Sequence, residues 1–129
     1  MRERPTGGEL LTIARNLLRE ELLPLLPEER RYDALMVANA MAIAARQIAF
    51  GDAPERRERQ DLAKLLGETV AGAGAALGDL HRSLGAKIRR GAFDPGTPRH
   101  AAAHAFLLEV TVQKLRESAP NTLKKAGFE

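Results

Sequence analysis

The stretch Ala34-Leu-Met-Val-Ala-Asn-Ala-Met-Ala-Ile-Ala-Ala-Arg-Gln-Ile-Ala-Phe50 decides the fold class. It is apolar nearly all round, with no two-residue alternation that would mark a strand. Its start and stop are those of a helix. Pro27 suits a first turn, Glu28 and Glu29 complement the dipole at that end, and Gly51 is a natural stop. The spacing predicts a helix over about 28–50. A helix apolar on every side is normally the central, buried one.

Helical signals continue in both directions from it. Upstream, Thr6-Gly-Gly-Glu9 has the form of a capping box. Leu11, Ala14, Leu18, Leu22 and Leu25 follow at spacings of three and four, before Pro24 and Pro27 end or kink the helix. Downstream, Asp52-Ala-Pro-Glu55 reads as a second capping box with Pro in the first turn and opens a third helix that reaches Leu66, with Gly67 behind it. Leu77, Leu80, Leu84 and Ile88 mark a fourth, closed by Gly91. Thr97-Pro98 opens a fifth, with Ala101, Ala105, Leu108, Val112 and Leu115 as its inner stripe and Pro120 past its end. Residues 68–78 are rich in Gly and Ala and read as a flexible link, since Gly weakens a helix by about 1 kcal/mol per residue. Residues 120–129 read as a loose C-terminal tail. The expected fold is therefore all-α: one domain over 1–129, a compact antiparallel bundle of four to five helices with the second at its centre.

Composition narrows the function. The chain has 129 residues, the size of one domain, and no cysteine, which excludes disulfides, zinc–thiolate sites and thiol catalysis. Fifteen arginines against five lysines, with abundant alanine, suggest a GC-rich bacterial genome. No secretory signal pattern is visible, and the longest apolar run, Ala34–Ala45, is short of the roughly 20 residues a membrane span needs. A cytoplasmic location and no membrane association are expected. Net charge is +3, with nine basic and five acidic groups in residues 79–129. Aromatic residues make up only 4% of the chain and Trp is absent, so a base-stacking platform and nucleic-acid binding are not expected.

Few residues suggest chemistry. Tyr32, Asn39 and Arg46 lie seven apart, on one stripe of the second helix with Met36, Ile43 and Phe50 between them. Polar groups on such a helix need partners or water. They form either a structural network or dimer seam with a polar position, or the polar wall of a ligand pocket. Lys87, Arg89, Arg90 and Arg99 surround the turn after the fourth helix, where Lys87 and Arg90 are candidates for holding a phosphate. Dipole complementarity also accounts for that cluster. His100 and His104 have the one-turn spacing of metal ligands, but no Glu follows His100 and no third ligand lies nearby, so no metal is expected. Gly72-Ala-Gly74-Ala-Ala-Leu-Gly78 has the wrong spacing and context for a dinucleotide fingerprint. Glu20-Glu21 and Glu28-Glu29 are adjacent pairs that do not face each other on a helix, and Ser83 and Ser118 lack a nearby His–acid pattern. No catalytic residue and no cofactor emerge, and an enzyme is the reading the residues support least.

Three segments carry a resemblance: Val37–Gly51, Leu80–Asp94, and Leu108-Glu-Val-Thr-Val-Gln-Lys-Leu115 with Pro120. With Arg4-Pro-Thr and Glu9-Leu-Leu, they resemble a bacterial family of short all-helical proteins, formally a domain of unknown function. Two positions depart from its pattern: Gln47 stands where Glu is expected, and Ala119 where Asn is. The Gln removes a possible partner charge for Arg46. The resemblance brings no catalytic residues. It implies genes placed beside an aminoglycoside-phosphotransferase-like protein and an acyl-CoA dehydrogenase. Two functional expectations follow. The first is a non-catalytic interaction or accessory module, a homodimer or a partner of either enzyme. The second is a bundle binding a small ligand, an acyl-CoA or a nucleotide, through Tyr32, Asn39, Arg46, Lys87 and Arg90.

Overall fold

A computed structural model describes residues 3–67 and 75–128. Helices account for the regular structure, and no strand occurs among the described residues. The all-α expectation holds. The chain divides into two compact units, Met1–Gly51 and Asp52–Glu129.

The first unit is a helical hairpin. Helix α1 (Gly7–Leu17) starts on the expected capping box. The Thr6 amide donates to Glu9 Oε2 at 2.7 Å, and the Glu9 amide donates back to Thr6 Oγ1 at 3.4 Å. Helix α2 (Glu28–Phe50) has the expected bounds and ends on Gly51. Between them the chain makes a π-helical turn, Leu18–Leu22, and then a 3-10 turn, Leu23–Leu25. Pro24 accounts for both. Its ring clashes with the carbonyl four residues back and it has no N–H to donate. The backbone therefore widens before it, the Leu23 amide donating to the Leu18 carbonyl five residues back.

That wide turn corrects the leucine stripe expected on α1. Leu11, Ala14 and Leu18 are half-buried, but Leu22 and Leu25 are exposed, and Leu23 and Leu26 take the inward positions instead. One added residue per turn shifts the phase by one position. The expectation that α2 is buried throughout also needs correction. Ala34 and Ala38 are its only buried residues. Within its unit α2 has α1 and the short turns for company, which cover one face.

The second unit holds α3 (Ala53–Leu66), α4 (Leu77–Arg89), α5 (His100–Ser118) and α6 (Pro120–Lys125). Its core joins Leu62, Leu65 and Leu66 of α3, Leu80 and Leu84 of α4, Phe93 from the following turn, and Ala103 and Phe106 of α5. Gly67 ends α3 at φ 75°, a left-handed conformation that glycine adopts without strain. Its neighbour Leu66 has a carbonyl without a helical partner, and Lys87 of α4 donates its Nζ to it at 3.1 Å. Gly91 closes the turn after α4 at φ 84°.

Three expectations change here. Helix α5 starts at His100 rather than at Thr97-Pro98, and the Thr97 hydroxyl donates to the Asp94 carbonyl. The buried side of α5 carries Ala103 and Phe106, with Val110 beside them, while Ala101, Ala105 and Leu108 are exposed. Residues 101–112 are apolar on most sides, so spacing alone leaves the phase open, and the large Phe106 side chain decides it. The expected tail is folded as far as Lys125: α6 buries Leu123 to 1% exposure. Of the expected link, residues 68–74 lie outside the described residues. Ala75 and Leu77 pack against the core, and Ala76 is the extended residue before α4.

Candidate functional site

The first unit presents the more unusual surface. Helices α1 and α2 pack antiparallel, with the start of α1 beside the end of α2. A Cβ added at Gly8 would stand 3.6 Å from Ile48 Cγ2 and 4.0 Å from the Ala45 carbonyl. Alanines at 34, 38 and 45 keep the facing side of α2 low, which lets the helices approach. On one flank they leave an open groove of about 850 Å³, with Thr12 and Ile13 on one wall and Ala45, Ile48 and Ala49 on the other. Arg4 and Glu9 pair at 3.5 Å at its end.

Eleven large apolar side chains of this unit are 40–81% exposed. Leu10, Ile13 and Leu17 form one exposed stripe on α1 at spacings of three and four. Val37, Met41, Ala44 and Ile48 form another on α2, with Val37 and Ile48 exposed and Met41 and Ala44 half-buried. Ile13 and Ile48 line the groove, while Leu10, Leu17, Val37, Met41 and Ala44 do not; with the helices antiparallel, steps of about 100° per residue set Leu10 and Leu17 on the same flank of the hairpin as Val37 and Ala44. Isolated exposed leucines are ordinary, but a contiguous apolar patch of several hundred Å² marks a surface that another molecule covers.

The residues singled out in the sequence are distributed as follows. Tyr32, Asn39 and Arg46 stand on the side of α2 away from Ala34 and Ala38. Tyr32 and Asn39 are exposed and Arg46 is half-buried. None of the three lines the groove. Lys87 and Arg90 belong to the second unit. The Lys87 ammonium is engaged as the cap on Leu66, and Arg90 is exposed at the end of α4. Arg99 lies over the Phe93 ring, 5.5 Å from its centre. His100 donates from Nδ1 to the Phe93 carbonyl at 2.8 Å, which ties its ring to the turn, and its ring centre lies 6.5 Å from that of His104. Among the described residues no group of three or more His, Asp or Glu is placed to hold a metal ion.

Two polar contacts were not legible in the sequence. His81 Nε2 lies 2.6 Å from Glu58 Oε1, linking α4 to α3 beside Phe106, with Glu58 largely shielded. Arg57 Nη2 reaches Glu109 Oε1 at 2.8 Å, linking α3 to α5. Both partners lie far apart in sequence, and no spacing rule joins them. Each contact holds helices of the second unit together.

Taken on its geometry, the chain is an all-helical protein whose most distinctive surface is an uncovered apolar face rather than a polar pocket. A family model described as a domain of unknown function (DUF6285) matches residues 24–122, and the chain belongs to that family. The match begins in the turn before α2, so Arg4-Pro-Thr and Glu9-Leu-Leu lie outside it. No curated protein and no solved structure matches the chain. Among the described residues no single helix is long and apolar enough to cross a membrane.

Proposed function

We propose that this protein is a non-catalytic helical interaction module that works through the apolar flank of its N-terminal hairpin. One observation carries the reading: Leu10, Ile13 and Leu17 on α1 and Val37 and Ile48 on α2 stand 47–58% exposed. Exposing that much apolar surface is unfavourable in water, at roughly 25 cal/mol per Å², so a partner that covers it gains in proportion. The resemblance supports a partner encoded nearby, a phosphotransferase-like protein or an acyl-CoA dehydrogenase. Co-purification of the chain with each of these enzymes tests the claim. Micromolar binding that is lost in Ile13→Glu and Ile48→Glu is expected, and no binding to either removes both as partners.

A ligand-binding reading draws support from the same groove, whose walls are mostly apolar and whose end carries Arg4. It places an acyl chain between α1 and α2 rather than along Tyr32, Asn39 and Arg46. A thermal-shift screen with acyl-CoA esters and nucleotides separates it from the first, because a ligand that binds only the folded state raises the melting temperature.

A further inference from the structure

We infer that the occupant of the hairpin's apolar flank is a second copy of this chain, the two hairpins closing into an antiparallel four-helix bundle. The inference rests on the reading of that flank as an interaction surface and names what covers it. Three observations converge on self-association.

The first is pattern. Leu10, Ile13 and Leu17 on α1, and Val37, Met41, Ala44 and Ile48 on α2, recur at spacings of three and four, the repeat that keeps one stripe against a neighbouring helix. No charged side chain interrupts either stripe. A two-fold axis can therefore set the face against itself without opposing like charges. Two hairpins are the fewest that give every such stripe a facing helix, which is the logic of a four-helix bundle.

The second is area. Five of these side chains, Leu10, Ile13, Leu17, Val37 and Ile48, are 47–58% exposed. An aliphatic side chain is somewhat smaller than the roughly 150–250 Å² of an aromatic, so five half-exposed ones offer on the order of 400–450 Å². A standard interface buries about 800 Å² per partner, a little over half of it apolar. The flank therefore supplies about the apolar share that one side of a stable dimer needs.

The third is charge. Residues 1–51 carry seven basic and seven acidic groups. A neutral unit has no net repulsion against its own copy and no electrostatic reason to prefer a charged partner. The polar stripe of Tyr32, Asn39 and Arg46 lies on another side of α2 and stays outside the seam.

The full chain has no cysteine, so single cysteines report the interface cleanly. Sedimentation equilibrium of the wild-type protein should give twice the 14.1 kDa of one chain. Ile13→Glu and Ile48→Glu should each weaken dimerisation at least 100-fold. Under mild oxidation, at least one of Leu17→Cys and Ala44→Cys should form a covalent dimer, and Asn39→Cys should not. A wild-type monomer at 100 μM overturns the inference. So does a dimer cross-linked through Asn39→Cys alone, or one indifferent to both glutamate variants. A monomer that still binds a different protein in an Ile13- and Ile48-dependent way would sink self-association and leave the interaction-module reading standing. A dimer that binds neither enzyme would do the reverse for those partners.

Discussion

Leu123→Ala tests the folded C-terminal helix directly. Leu123 is 1% exposed, on a helix of six residues. The substitution removes three carbon groups from a site that water does not reach. At about 0.8 kcal/mol per buried methylene the transfer loss is roughly 2.4 kcal/mol. A cavity term adds to this where the surroundings stay rigid. Here it should be small, because α6 is short and can settle inward against α5. The expected loss is therefore about 2–3 kcal/mol. Urea denaturation followed by circular dichroism reads it. With a slope of about 1–3 kcal/mol per molar, typical of small proteins, the midpoint should fall by roughly 1–2 M with the slope unchanged. Lys124→Ala, one residue along on the exposed side of the same helix, should move it by less than about 0.5 kcal/mol. Equal, negligible effects from the two substitutions would mean that residues 120–125 contribute nothing to stability, and the packing described for α6 would be wrong.

Other residues make sharper local tests. Gly91→Ala places a side chain at φ 84° and sets its Cβ 2.9 Å from Asp94 Oδ2; it should destabilise the second unit by about 1–2 kcal/mol, by thermal melt, from the left-handed backbone alone. Adding Asp94→Ala relieves the contact but not the backbone, so only partial recovery is expected. Lys87→Met keeps the aliphatic stem and removes the donor to Leu66, and a loss of about 1 kcal/mol in chemical denaturation follows from an unmet helix-end carbonyl; no loss would show that water replaces the cap freely. Thr6→Ala breaks the capping box at an exposed helix end and should lower stability by about 0.5–1 kcal/mol, visible as faster amide exchange in the first turn of α1.

Helix boundaries were the most readable part of this sequence because each was written in local chemistry. Thr6 with Glu9, Pro27 with Gly51, and Gly67 after Leu66 each act within a few residues, whereas Asp52 makes no side-chain cap on α3 and Thr97-Pro98 lies ahead of α5 instead of opening it. Helix phase was less readable. On α5 the apolar residues surround most of the helix, and only the bulk of Phe106 against the leucines of α3 and α4 selects the inward side. On α1 the regular stripe fails past Leu18, since periodicity assumes a uniform turn and Pro24 imposes a wider one. The buried-helix rule overreached for α2 because much of its apolar character comes from alanine, which suits a helix neighbour at close range but does not reveal how many neighbours there are. The apolar flank is hidden in the sequence for a related reason. Leu10, Ile13 and Leu17 sit one position before Leu11, Ala14 and Leu18, and a sequence shows both sets without saying which one is covered.

That interleaving gives the π turn at Leu18–Leu22 a particular weight. Helix α1 is two-sided: shifted by one position, Leu10, Ile13 and Leu17 would occupy the places now held by Leu11, Ala14 and Leu18. The turn contains one residue more than an α-helical turn would. Deleting either Glu20 or Glu21 supplies that shift, rotating α1 by about 100°, which turns Leu10, Ile13 and Leu17 inward and moves Leu11, Ala14 and Leu18 to the places of Thr12, Arg15 and Arg19. A single codon in the bend between two helices thus chooses which leucines the hairpin keeps for itself and which it offers outward.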